Sequence, residues 1–320
     1  MEYVILLISL VGIVFGADYL VDGSVSIARR YKVSDFVIGA AIVGIGTSMP
    51  ELVVSFIGAL GGNADVAIGN VVGSNIFNVL GILGLTALFF PVAVGKDNLK
   101  FELPFCIAVS VILLLLVYNF FTGGDAVIGR VDGLILLACF AFFMFYSFYR
   151  DSKQKKVEAE QSPEEPEAKM TPLWWAILKV VGGLAILITS CDFFIDNAIV
   201  VAKSFGVSDA FISITLIACG TSLPELAASL AAALKKNTDL ALGNVIGSCI
   251  FNITWILGLS SQVMPLNATG ITFVDYAVMI ASVVLATLLG LKGKINRVSG
   301  AVLFIGIVAY NWYLISTQIA

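Results

Sequence analysis

Gly46-Thr47-Ser48-Met49-Pro50-Glu51 lies in the middle of a long apolar run, and the pattern returns as Gly220-Thr221-Ser222-Leu223-Pro224-Glu225. A carboxylate and a proline are both unfavourable in such a setting. A charge at mid-membrane costs about 2.5–3.5 kcal/mol on insertion scales. Proline removes a backbone N–H and opposes an unbroken helix. One such proline alone reads as a kink. Two whole Thr-Ser-x-Pro-Glu sets at matching positions mark a polar ion site in the middle of a membrane protein.

Composition agrees with that reading. The 320 residues are 59% hydrophobic and 12% charged, with a mean hydropathy of +1.01, against roughly 25% charged for soluble domains. The net charge of −4 says little about partners, because Glu158, Glu160, Glu164, Glu165 and Glu167 all fall in one connection. No basic stripe points to nucleic acid. The absence of histidine excludes an imidazole metal site or proton relay. Cys106, Cys139, Cys191, Cys219 and Cys249 sit in apolar segments without paired spacing, so they are expected to pack rather than to ligate or crosslink. The N-terminal run lacks a basic n-region and a small-residue cleavage site, and is expected to be a retained span.

Apolar segments of crossing length, about 20 residues, occur at 3–24, 36–61, 66–92, 102–120, 125–149, 173–197, 208–234, 240–262, 272–291 and 296–317. The expected fold is an all-α integral membrane protein of ten spans, since a helical bundle satisfies the backbone within lipid. All but Arg130 and Lys203 of the 18 Lys and Arg residues lie on the odd-numbered connections or beside them. The positive-inside rule then puts that face in the cytoplasm and both termini on the other side of the cell membrane. The connection 150–172 is acidic and carries prolines, and reads as a flexible cytoplasmic linker.

An offset of 174 residues lays Gly16–Leu85 on its own copy without a gap, with about two-fifths of positions identical. Asp18 and Asp22 fall on Asp192 and Asp196, Gly69-Asn70-Val71 on Gly243-Asn244-Val245, and Ile76-Phe77-Asn78 on Ile250-Phe251-Asn252. Hydrophobicity alone does not keep Asn, Asp, Thr and Pro in register, and such self-similarity fixes architecture. The expected organisation is a first repeat at 1–149 (spans 1–5), the linker at 150–172, and a second repeat at 173–320 (spans 6–10). Five spans is an odd number, so the second copy enters with opposite polarity. Inverted repeats put a shared site at the midplane.

The prolines deprive the carbonyls of Gly46 and Gly220 of their helical N–H partners. Thr47 with Glu51, and Thr221 with Glu225, are four apart and share a face if the segment stays helical. Ser48 and Ser222 reach the same region by side chain or backbone. The next span of each copy offers Ser74 with Asn78, and Ser248 with Asn252. Every candidate donor is oxygen, which suits hard cations such as Ca²⁺ and Na⁺. Two glutamates supply up to −2, which matches one Ca²⁺ or about two monovalent ions. Asp18, Asp22, Asp192 and Asp196 read as solvated caps or charge pairs near span ends. Asp65 and Asp239 read as helix N-caps, and Asn70 and Asn244 as packing hydrogen bonds.

These motifs, Gly-Thr-Ser-x-Pro-Glu followed by Gly-Asn-x-x-Gly-Ser-x-x-x-Asn in both copies, resemble those of the cation/calcium exchanger superfamily, specifically sodium/calcium exchangers. The likeness covers nearly the whole chain. It implies a ten-helix antiporter of one Ca²⁺ and up to three Na⁺, with Glu51 and Glu225 as shared ligands. It further implies that Gly46, Thr47, Ser48, Ser74, Gly220, Thr221, Ser222 and Ser248 supply hydroxyl or carbonyl oxygens and that Asn78 and Asn252 complete the inner site. Spans 1 and 6 would slide across the other eight. Ca²⁺ and Na⁺ are cargo, and no cofactor or obligatory protein partner is implied. Relatives that also carry K⁺ tend to have Asp in place of Asn78 or Asn252, so this chain is expected to be K⁺-independent. Proton-coupled or K⁺-dependent exchange are the alternatives within the class. A cation channel is the alternative outside it. An intramembrane hydrolase is disfavoured, because the glutamates sit among cation ligands without a nucleophile or histidine.

Overall fold

The computed structural model describes residues 2–62, 64–118, 126–161, 171–205, 220–268 and 271–319. The helices are α1 (Glu2–Tyr31), α2 (Asp35–Thr47), α3 (Met49–Leu60), α4 (Val66–Phe89), α5 (Asn98–Val117), α6 (Arg130–Gln161), α7 (Leu173–Ser204), α8 (Leu223–Leu234), α9 (Thr238–Val263), α10 (Phe273–Gly290) and α11 (Arg297–Ile319). Eight of them are long and apolar enough to cross a membrane alone, and α2 with α3 passes as one span bent by 49°. The expected span at 208–234 falls partly on α8 and partly on residues 208–219, and the latter lie outside the described residues, as does Cys219.

Local chemistry sets the helix ends. Arg29 and Arg30 sit in the last turn of α1, where the helix dipole favours positive charge. The Ser34 hydroxyl accepts from Val37 N and starts α2. Asn237, not Asp239, caps α9: its side chain accepts from Leu240 N at 3.1 Å. Asp239 lies one residue inside the helix, in the first turn. The other expected cap, Asp65, has no described side chain. α6 continues to Gln161, so the first dozen residues read as linker are helical. Lys, Glu, Gln and Ala there are good helix formers, and a helix need not end where the hydrocarbon does.

Helices α4 and α9 form the centre, with α9 almost wholly buried. The main core runs through Ile68, Val72, Ile76, Ile82, Ile246, Ile250, Ile253 and Leu257 and out to α5, α10 and α11. A second, separate core joins α1 and α7 to α8 and the start of α9, through Ile13, Leu20, Leu187, Ala228 and Leu240. α1 and α7 lie in direct backbone contact. A Cβ on Gly16 would come 2.6 Å from Leu187 N, and one on Gly183 2.6 Å from Leu20 N. Glycine is required there for close helix approach.

Two short antiparallel pairs tie early segments to late ones: β1 (Val92–Ala93) with β4 (Lys294–Ile295), and β2 (Val127–Ile128) with β3 (Leu266–Asn267). The odd-numbered connections meet on one face. There Ser34 N donates to the Asp151 carboxylate, Arg150 pairs with Asp97 and Glu102, and Ala93 N donates to Thr238 Oγ1.

Candidate functional site

The first Gly-Thr-Ser-x-Pro-Glu stretch forms a break between two helices, and the second leads directly into one. Ser48 leaves the helical conformation (φ −81°, ψ 11°), as does Ser222 (φ −92°, ψ 8°), and Pro50 and Pro224 open the helices that follow. Proline at a helix start loses nothing, because its missing N–H would have no partner there. The segment around Thr47 therefore does not stay helical, and Thr47 and Glu51 are not joined by a continuous helix face. The break turns Ser48 across the molecule instead.

That turn produces a reciprocal arrangement. Ser48 Oγ donates to Glu225 Oε1 at 2.8 Å, and Ser222 Oγ donates to Glu51 Oε1 at 3.0 Å. Ser74 Oγ adds a weaker bond to Glu51 Oε1 at 3.4 Å. All four residues of the crossed pairs are fully buried. The second oxygen of each glutamate, Oε2, has no hydrogen-bond partner, nor do Asn78 Oδ1 and Asn252 Oδ1. Among the described residues, the buried carboxylate and amide oxygens without a donor are these four and Glu102 Oε2. Buried polar atoms are normally satisfied, so such a concentration marks a place built for something other than protein.

Asn70 and Asn244 hold the glutamates from behind. Asn70 Nδ2 donates to Glu51 O at 3.2 Å and Ser55 Oγ at 3.0 Å. Asn244 Nδ2 donates to Glu225 O at 3.0 Å and Ser229 Oγ at 2.8 Å. The expectation of packing hydrogen bonds is met, with a specific target. Ser55 and Ser229 were not singled out from the sequence, although they recur at the same 174-residue offset.

The remaining candidates are placed less evenly. The Thr47 hydroxyl lies 2.9 Å from Val43 O and 3.2 Å from Asn244 Oδ1, so its proton is committed to protein. Ser248 Oγ donates to Gly44 O at 3.2 Å rather than to a glutamate. Gly46 packs on Leu184 and Gly220 on Ile195, both of α7. Thr221 is half-buried and lines a cavity of about 550 Å³ with Met49, Pro50, Pro224, Asp192 and Asp196. π-Helical turns cover Phe77–Leu83 and Asn252–Ile256. Asn78 and Asn252 fall in these wide turns, which commonly mark functional sites.

The acids near span ends divide. Lys235 Nζ lies 2.6 Å from Asp18 Oδ1 and 2.5 Å from Asp22 Oδ1, and Lys179 Nζ lies 3.4 Å from Asp22 Oδ2. The charge-pair reading holds for that set. Asp192 and Asp196 face the open cavity.

The profile of the family described as "Sodium/calcium exchanger protein" matches residues 1–149 and 175–316. The chain belongs to the sodium/calcium exchanger family. It is 39% identical over 320 residues to a protein called CaxA in Alkalimonas amylolytica, covering 98% of each chain. It is 35% identical to sodium/calcium exchanger MaX1 of Methanosarcina acetivorans, covering 97% of each. Among solved structures it resembles the sodium-calcium exchanger NCX_Mj soaked with zero Na⁺ and Ca²⁺. The TM-score is 0.80 at 31% identity, with 98% of both chains covered.

Proposed function

We propose that this protein is a Na⁺/Ca²⁺ antiporter that works by alternating access, with ions held at mid-membrane between two inverted five-helix halves of a ten-span bundle. The observation that carries the reading is the pair of crossed serine–glutamate bonds. They occupy one oxygen of Glu51 and one of Glu225 and leave the others buried without a donor, together with the amide oxygens of Asn78 and Asn252. Buried carboxylates lacking donors are strongly unfavourable unless a cation shares the space. A divalent ion, or monovalent ions in its place, restores neutrality. The two loads exclude one another by charge, which is the basis of exchange.

In this reading Glu51 and Glu225 are the shared anionic ligands. Asn78 and Asn252 provide inner oxygens. Ser48, Ser222, Ser74, Ser248, Thr47, Thr221, Gly46 and Gly220 supply hydroxyl lone pairs or main-chain carbonyls. The separate core of α1 and α7, interlocked at Gly16 and Gly183, supports their moving as one body over the rest. With the odd-numbered connections cytoplasmic, the Lys235–Asp18–Asp22 cluster closes the inner face and the cavity beside Asp192 and Asp196 opens outward. The conformation is then outward-facing, and both termini lie outside. MaX1 and NCX_Mj carry the name sodium/calcium exchanger, which supports Na⁺ as the counter-ion.

The test is radiolabelled Ca²⁺ uptake into proteoliposomes under separate Na⁺, K⁺ and H⁺ gradients. An outward Na⁺ gradient alone is expected to drive uptake. Uptake that ignores Na⁺ and follows pH would assign a Ca²⁺/H⁺ exchanger, and unitary currents far above exchanger turnover would assign a channel.

A further inference from the structure

Asn75 is buried one turn from the proposed ion site, and its amide bridges two other groups. Its Nδ2 lies 3.1 Å from the main-chain carbonyl of Cys249, with Met279 Sδ at 4.0 Å, and its Oδ1 lies 3.1 Å from Asn252 Nδ2. We infer that Asn75 is a positioning residue that fixes which end of the Asn252 carboxamide faces the ion, and so selects an amide rather than a carboxylate at position 252. The inference rests on the antiport site proposed above.

The argument is one of obligatory donors and acceptors. A backbone carbonyl only accepts. Asn75 must therefore present its NH₂ to Cys249, which leaves its oxygen toward Asn252. That oxygen also only accepts, so Asn252 must present its own NH₂ in return. The Asn252 oxygen is thereby turned away from Asn75 to the side where it has no protein partner. One backbone oxygen thus sets the orientation of two side chains in series.

The same relay opposes a carboxylate at 252. An Asp in that position would set anionic oxygen against Asn75 Oδ1. Turning the Asn75 amide around would relieve that contact but place Oδ1 against the Cys249 carbonyl. Either choice leaves two acceptors facing each other in a buried site, where each unmade bond carries its full desolvation penalty. The other half lacks this device. The repeat position of Asn75 is Cys249 itself, whose thiol lies 3.9 Å from Asn75 O, and both amide atoms of Asn78 are without a partner. Asn252 is held in one orientation by a partner amide, and Asn78 has no such amide partner.

The full-length protein tests this in two ways. In proteoliposomes, Asn75→Leu is expected to raise the Ca²⁺ KM about five- to tenfold with kcat within about twofold of wild type, since it frees Asn252 to rotate without touching the ion. An unchanged KM, or loss confined to kcat, overturns the proposal. In detergent without Ca²⁺ or Na⁺, thermal melts give a double-mutant cycle. Asn252→Asp is expected to lower Tm in the wild-type background by more than twice what it does in Asn75→Leu, because the opposing oxygen is gone. Equal losses in both backgrounds overturn the relay. If Asn75→Leu does not fold, Asn75→Ala takes its place in both arms. The melts need no transport, so absence of Na⁺-driven uptake in the wild type would remove the antiport reading while the cycle still decides the relay.

Discussion

Asp18 and Asp22 in one half, and Asp192 and Asp196 in the other, are the same residues at the same repeat positions in opposite circumstances. The first pair is gripped by Lys235 and Lys179. The second lines an open cavity. The backbone is not the cause. The helix ends involved are alike, with Gly61 at φ −77°, ψ 0° and Lys235 at φ −80°, ψ 9°. The next residue is left-handed in both, Gly62 at φ 79° and Lys236 at φ 61°. What differs is the side chain: positions 61 and 5, which match Lys235 and Lys179, are Gly and Ile. In the proposed alternating-access cycle, a duplicated frame would give two gates of equal geometry, and a few unduplicated charges would bias which one is shut. Exposed ion pairs are worth about 0.2–1 kcal/mol each, a suitable size for a bias that substrate binding would overcome in the proposed cycle.

The sharpest way to break the comparison is at the glutamates, where the halves are most alike. Glu51→Gln and Glu225→Gln are each expected to reduce Na⁺-driven Ca²⁺ uptake by at least about thirtyfold, since losing one partner of a desolvated charge contact costs about 2–5 kcal/mol. Near wild-type uptake in either variant would mean that one half alone binds the ion. A smaller effect is expected one layer out. Asn70→Ala and Asn244→Ala each remove donors to a glutamate carbonyl and a serine, and are expected to raise the Ca²⁺ KM about three- to tenfold, a loss of about 1 kcal/mol in all. Asn244→Ala should be the worse of the two, because Asn244 also faces the Thr47 hydroxyl. The reverse order would show that the halves are coupled differently from their hydrogen bonds.

These layers were unequally legible in the sequence. The glutamates, prolines and asparagines stand out because polar residues recur in register within apolar runs. The crossing of Ser48 to Glu225 and of Ser222 to Glu51 is not legible, since it depends on how the helices that begin at Met49 and Leu223 meet. Repeat matching also hides whatever is not repeated. Asn75 gives no repeat signal because its counterpart is Cys249, and Lys235 reads only as a basic residue on a connection. Gly44 gave no signal, because its role in accepting from Ser248 lies in a carbonyl that every residue possesses. Asp239 reads as the cap because Asn237, two residues earlier, has the composition of the turn that precedes the helix.

Removing the latch tests the bias directly. Val54 lines the cavity beside Asp192 and Asp196, which faces outward in the proposed topology, so a Val54→Cys reporter labelled by a membrane-impermeant maleimide reads how often that side is open. Lys235→Met is expected to slow labelling about two- to fivefold, the shift that about 0.5–1 kcal/mol gives to a two-state population. Labelling that stays constant would mean that packing of the α1–α7 pair, rather than charge, holds the inner face shut.

The converse change should be the smallest and the most informative. Gly61→Lys installs the missing lysine on a backbone that already has the conformation of Lys235, so no strain is introduced. Its ammonium would face Asp192 and Asp196 only as the outer cavity narrows, which means that it stabilises the closed gate and leaves the open one nearly untouched. Labelling of the Val54→Cys reporter is then expected to slow by about twofold, and high salt should shrink the difference because the Debye length falls to about 3 Å at 1 M. In combination with Lys235→Met the two changes should reinforce one another, since both shift the population away from the outward-facing state. If Gly61→Lys has no effect while Lys235→Met does, the second lysine, Lys179, is the member of the latch that a single substitution in the other half fails to reproduce.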